Sequence, residues 1–215
     1  MRRLRRPDTP AVLGELSRRN AHWNALTSDE KRRIRNPLEA MSTRGGQVFC
    51  SYCESAIQPP EGHIEHLASR ASHPALEFDW DNLFLSCDES THCGHFKDSR
   101  RRGTYSPERL IHPDVEDPDA FFHFLSSGKV EPRAGLDPDL ESRATMTIDA
   151  LNLNDPKLVQ QRAAIAKQVR KYALTYLDGL EELTPAEREE FFEEDIAMFE
   201  GSPFLTTVRH FYIEG

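Results

Sequence analysis

CSYCESAIQPPEGHIEHLASRASHPALEFDWDNLFLSCDESTHCGHFK, residues 50–97, decides how the rest of this 215-residue chain is read. All four cysteines of the protein lie in it: Cys50, Cys53, Cys87 and Cys93. Five of the nine histidines do too: His63, His66, His73, His92 and His95. Two residues separate Cys50 from Cys53, so both thiolates can reach one ion from a single turn. Cys87 and Cys93 supply a second pair after 33 intervening residues. Four thiolates make a closed tetrahedral zinc site with no open coordination position, which reads as structural. His92, beside Cys93, is an alternative donor in place of one sulfur. Structural zinc contributes roughly 10–16 kcal/mol in small peptides, enough to hold a Pro- and Gly-rich segment together.

The sulfurs leave Glu65-His66 unexplained. The string GHIEHL is short and apolar-flanked and reads as a strand. A carboxylate beside an imidazole at a strand end can divide labour: Glu65 binds a divalent cation and His66 takes a proton from water. By itself an EH pair is also an ordinary surface pair. His63 lies two residues before Glu65, so strand alternation puts both on one face, as a ligand or in a supporting role. Asn82, within FDWDNLFL, has a side chain suited to fixing a loop through backbone groups. After Cys93, His95 and Asp98 stand three apart and share a face if the segment is helical. Lys97, Arg100, Arg101 and Arg102 can meet phosphates at low sequence specificity.

Outward from this segment, residues 1–46 form a basic arm, predicted helical in two pieces. Thr27-Ser28-Asp29-Glu30 has the capping-box pattern and starts a helix through Lys31, Arg32, Arg33 and Arg35. Pro37 is expected to kink or restart it, and Gly45-Gly46 to end it. The arginines contact phosphate or a partner, or simply solvate a helix face. Residues 47–104 form the Cys/His module and 105–215 an acidic helical region. There, Asp117-Pro118 is expected to start a helix AFFHFLSS closed by Gly128, and residues 129–133 a short strand. The clearest helix spans 155–178, with Gly179 as its stop. A further helix starts at Thr184-Pro185, with Phe191, Phe192, Ile196 and Phe199 on one side. Its other side carries Glu189, Glu190, Glu193, Glu194 and Asp195, a docking face for a basic partner or a solvated face.

The net charge of -9 is unevenly spread. Residues 1–104 hold 16 Lys and Arg against 14 Asp and Glu, whereas 105–215 hold 11 against 22. A surface binding nucleic acid throughout would be basic, so any such contact is local to the first half. No run of 18 apolar residues is present and the basic start lacks an apolar signal core, so no membrane span or signal peptide is expected. A cytoplasmic setting keeps thiols reduced, which favours metal over disulfides.

CxxC, then EH, then a DNL segment, then a second cysteine pair and a helix with a lysine resembles the HNH nuclease family. CSYCE, HIEHL, FDWDNLFLSC and HCGHFKD are more closely similar to PtuB-type HNH proteins, which accompany PtuA-type ATPases in Septu and some retron anti-phage systems. The resemblance implies an α+β fold: a zinc-stapled ββα-metal core within a mostly helical chain. It implies a metal-dependent endonuclease with structural Zn2+ and catalytic Mg2+ or Mn2+. His66 matches the general base, Glu65 the adjacent metal ligand, Asn82 the loop brace, and the four cysteines the zinc ligands. Gly94 stands where many relatives carry Asn, so His95 is the chosen remaining ligand and Asp98 the second choice. Implied partners are a PtuA-type ATPase, a DNA or RNA substrate, and in the retron context a reverse transcriptase and its DNA product. The competing reading is a zinc-stapled nucleic-acid-binding or adaptor module without catalysis, which would not need Glu65-His66.

Overall fold

A computed structural model describes residues 1–99, 105–174 and 183–214. These form a mixed α+β fold with seven α-helices and three small antiparallel sheets among the described residues. Helices α1 (Ala11–Arg18) and α2 (Ser28–Ser42) come first. The three-stranded sheet β1 (Thr43–Arg44), β2 (Gln47–Phe49) and β3 (Ala56–Ile57) follows. Strand β4 (His63–His66) then pairs with β5 (Leu83–Ser86), and α3 (Cys93–Lys97) comes after. A second hairpin, β6 (Phe122–Phe124) and β7 (Val130–Pro132), leads to α4 (Pro138–Leu151), α5 (Pro156–Ala173), α6 (Pro185–Met198) and α7 (Leu205–Glu214). No helix among the described residues is long and apolar enough to cross a membrane.

The α2 capping box forms as its sequence predicts: the Glu30 amide donates to Thr27 Oγ1, and the Thr27 amide to Glu30 Oε2. Pro37, however, neither ends nor restarts this helix, which runs through it. An interior proline costs about 3 kcal/mol. Ile34 and Leu38, both fully buried, flank it one turn apart, and each contributes about 1.5–3 kcal/mol. Packing therefore outweighs the local penalty. Gly45-Gly46 does end the segment, as the two-residue turn joining β1 to β2.

The helix expected over AFFHFLSS is instead a strand. Asp117 caps only the short turn Pro118–Ala120, after which Phe122 and Phe124 are buried and His123 between them is not. That period of two is a strand's. The expected strand over 129–133 is present as β7 and completes the hairpin. Gly128 permits it: its φ is +87°, and a Cβ there would lie 2.0 Å from the Val159 carbonyl oxygen of α5. Arg162 of α5, fully buried, donates to the Leu153 carbonyl at 2.6 Å and stacks its guanidinium on Phe124.

One core joins Leu13 and Leu38 of the first helices, Phe84 and Leu85 of β5, Phe122 of β6, and Ile148 and Leu158 of the later helices. A smaller cluster, with Val169, Ile196, Val208 and Tyr212, sits where α5, α6 and α7 meet. The continuation of α5 through Tyr176 to Gly179 lies outside the described residues. On α6, Glu189, Glu190, Glu193 and Glu194 are exposed, but Asp195 is buried and leaves the acidic face with four members.

Replacing Gly128 by Ala should cost about 2–4 kcal/mol, because a positive φ and a backbone clash act together. Gly46→Ala has only its φ of +76° against it and open space around it, so about 1 kcal/mol is expected. Urea denaturation of both variants measures the difference; equal losses would contradict the packing of α5 on this turn.

Candidate active site and metal centres

The Cys/His segment folds into two separate centres. In the first, the Cys50–Cys53 knuckle follows β2, and the Ser51 amide donates to the Leu85 carbonyl at 2.9 Å, seating the knuckle on β5. Cys87 directly follows β5 and Cys93 opens α3. All four cysteines are buried, unbridged, and have their sulfurs within 4.8 Å of one another. Cys50 and Cys93 sulfurs are 3.8 Å apart, and those of Cys53 and Cys87 3.9 Å. Zinc–sulfur bonds of about 2.3 Å place tetrahedral ligands about 3.8 Å apart, so these residues fit a zinc ion. His92 Nδ1 lies 3.3 Å from the Cys93 sulfur and 3.7 Å from that of Cys87, a position for hydrogen bonding to thiolate alongside four complete ligands.

The second centre lies along β4. Register pairs His63 with Ser86, Glu65 with Phe84 and His66 with Leu83. Every polar atom of the Asn82 side chain is spent on the loop following His66. Its Oδ1 accepts from the Ala68 amide at 2.7 Å, and its Nδ2 lies 3.1 Å from both the Ala68 and Leu76 carbonyls. The same loop presents the Glu77 carbonyl 3.0 Å from His66 Nε2. A carbonyl only accepts, so Nε2 carries the hydrogen and Nδ1 keeps its lone pair. Trp23 meets the ring edge-on at 4.4 Å between centroids. Burial, helped by the charge of Arg70 and opposed by the Glu77 bond, pulls the His66 pKa down to about 4. At neutral pH this imidazole is uncharged.

Glu65 is buried, with Oε2 3.2 Å from His63 Nε2 and Oε1 2.8 Å from Lys97 Nζ. The Lys97 contact is ionic rather than a well-aligned hydrogen bond. Burial raises the carboxyl's pKa, but His63 and Lys97 outweigh it and hold the group ionised. Lys97, expected to face phosphate, is instead an interior cation. It donates to the His66 carbonyl at 3.0 Å and the Tyr105 hydroxyl at 2.9 Å, and pairs with Asp98. Burial works against its charge, but Glu65 and Asp98 push its pKa up. Asp98, the second-choice metal ligand, is thus committed to Lys97 and lies outside the cluster described next. Arg100, Arg101 and Arg102 lie outside the described residues.

Three donors gather at the solvent-facing edge: His63, Asp88 and His95, with ligand atoms within 4.8 Å of one another. His63 Nδ1 lies 3.2 Å from Asp88 Oδ1, and His95 Nε2 3.8 Å from the same oxygen. The two imidazoles stack at 4.0 Å. Burial disfavours charge on His63, but bonds to Glu65 and Asp88 raise its pKa; burial and the charge of His63 lower the pKa of His95. Gly94 makes the arrangement possible: a Cβ there would stand 2.3 Å from Glu65 Oε2 and 2.9 Å from His63 Nε2.

Sequence reasoning missed Asp88. The signal was its place two residues beyond Ser86, but using it requires the β4–β5 register. A groove beside His63 and Ile64 is lined by Trp23 and by Lys31, Arg32 and Arg35 of α2. Arg35 is partly spent on the Gly62 carbonyl, at 2.6 Å, and on Glu39.

Cys53→Ser should remove zinc and broaden or abolish cooperative unfolding, read by elemental analysis and thermal melting. A zinc-replete variant with unchanged melting would contradict the sulfur-centred scaffold.

No protein-family model matches the chain. It is 26% identical over 160 residues to the Septu protein PtuB of Bacillus mycoides (strain KBAB4), covering 62% of this chain and 52% of that relative. It is 25% identical over 129 residues to a protein of Vibrio cholerae serotype O1 biovar El Tor named "Retron Vc95 putative HNH endonuclease", covering 58% and 60%. The chain thus spans little more than half the length of each of these relatives. Together with the four-cysteine centre, the two similarities support a PtuB-type HNH family for this chain.

Proposed function

We propose that this protein is a metal-dependent HNH endonuclease that hydrolyses phosphodiester bonds in bacterial anti-phage defence. The observation that carries the reading is His66: a neutral imidazole with Nε2 anchored on a backbone carbonyl and Nδ1 free to accept a proton. A purely binding module has no use for that arrangement. His66 takes the proton from the attacking water through Nδ1. Asn82 keeps the following loop, and with it the Glu77 carbonyl, in place. Glu65 and Lys97 fix strand and helix against each other beside the reacting phosphate. A divalent cation held beside His63, at the solvent-facing edge, would supply Lewis-acid stabilisation of charge on the scissile phosphate and leaving oxygen. Exposed Lys31 and Arg32 in the groove beside His63 offer positive charge to the nucleic-acid backbone. The substrate is DNA or RNA. The partner is a PtuA-type ATPase, or in a retron setting the reverse transcriptase and its DNA product. The four exposed glutamates of α6 suit docking on a basic surface of such a partner.

His66→Ala should lower cleavage by about 100-fold to 10,000-fold, the usual contribution of a general base, with zinc content unchanged. DNA and tRNA, each with added Mg2+ or Mn2+, are the substrates to assay, with and without the ATPase. Undiminished cutting by the variant would overturn the assignment. Absence of wild-type cutting under all these conditions would favour the binding-module reading.

A further inference from the structure

We propose that His63, Asp88 and His95 hold the divalent cation of this site, and that this donor set selects a transition metal such as Mn2+ over Mg2+. The role of that cation rests on the nuclease reading; its place rests on the donors. Other candidates in the segment are spent or missing. Glu65 gives one carboxylate oxygen to Lys97 and the other to His63. Asp98 is paired with the same lysine. Gly94 brings no side chain, and none fits there while Glu65 and His63 occupy the space. What remains open to solvent is a side-chain trio with exposures of 23% for His63, 51% for Asp88 and 47% for His95.

The trio has the spacing of ligands and the support that ligands need. Bonds of about 2.1 Å put neighbouring donors about 3.0 Å apart in an octahedron and about 3.4 Å in a tetrahedron. The observed separations from Asp88 Oδ1 are 3.2 Å to His63 and 3.8 Å to His95, with all three donors within 4.8 Å of one another, so the set closes on an ion by contracting. Glu65 can only accept and holds the His63 Nε2–H; the Nδ1 hydrogen facing Asp88, also an acceptor, would give way to the cation as it binds. A carboxylate behind a histidine is the usual outer support of a metal ligand. Asp88 is anchored in turn, its Oδ2 accepting from the Gly62 amide at 2.6 Å. Water or phosphate oxygens can fill the exposed side. Two imidazoles and one carboxylate suit Mn2+, Co2+, Ni2+ or Zn2+, whereas Mg2+ prefers an all-oxygen shell.

The test titrates the zinc-loaded protein with Mn2+, following the free-ion paramagnetic resonance signal, with Mg2+ as competitor and no nucleic acid present. Expected is one Mn2+ per chain beyond the sulfur-bound zinc, retained against an about tenfold excess of Mg2+. Asp88→Ala and His95→Ala, at exposed positions, should each weaken Mn2+ at least about tenfold with zinc content unchanged. Asp98→Asn should retain the site. Absence of a second metal, equal competition by Mg2+, or affinity indifferent to Asp88 and His95 would overturn the proposal. Mn2+ binding as expected in a protein that cuts no nucleic acid would support the site and overturn the nuclease reading instead.

Discussion

Four sulfurs meeting at one point constrain everything else in the segment from Cys50 to Lys97. Cys50 and Cys53 come from the knuckle, Cys87 from the end of β5, and Cys93 from the first residue of α3. No long strand or large sheet exists here to fix those pieces. β4 and β5 are four residues each, and α3 only five. Elements so short gain little from their own hydrogen bonds, and a helix of one turn is unstable alone. A zinc ion, which the four thiolates fit, would tie the end of a buried strand to the start of that helix and make its orientation independent of helix propensity.

Lys97 carries the consequence of that orientation. It lies one turn after the buried Cys93 and so points inward, between Glu65 and Asp98 and onto the His66 carbonyl. A buried ammonium without partners would be far too costly; two carboxylates and two further acceptors make it tolerable. Its presence changes what Glu65 can do. The carboxylate is held ionised by the interior cation and by His63, and becomes the support of a histidine facing solvent. Gly94 belongs to the same set of constraints, since any larger side chain would displace Glu65 and His63 together.

Much of this was legible in the sequence because it rests on local spacing. CxxC and the Thr27 capping box each announce a geometry over a few residues, and the four sulfurs and the Thr27–Glu30 bonds lie accordingly. What was not legible depended on contacts between distant segments. AFFHFLSS reads as a helix from its local signals, and Gly128 beneath Val159 makes it the first strand of a hairpin instead. Pro37 breaks an isolated helix, yet Ile34 and Leu38 hold this one together. Lys97 belongs by composition to a basic run, and only its position relative to Cys93 and Glu65 shows it to be interior. Asp88 becomes a candidate ligand only once His63 is known to pair with Ser86.

One short segment offers two distinct donor sets for metal, a closed sulfur site and an open nitrogen–oxygen site. Anomalous diffraction at the zinc and manganese edges, from crystals grown with both ions, tests this most directly. Expected are a zinc peak among Cys50, Cys53, Cys87 and Cys93, and a separate manganese peak about 2–2.3 Å from the His63, Asp88 and His95 donors. A single metal peak, or manganese seated between Glu65 and Asp98 with Lys97 displaced, would contradict it.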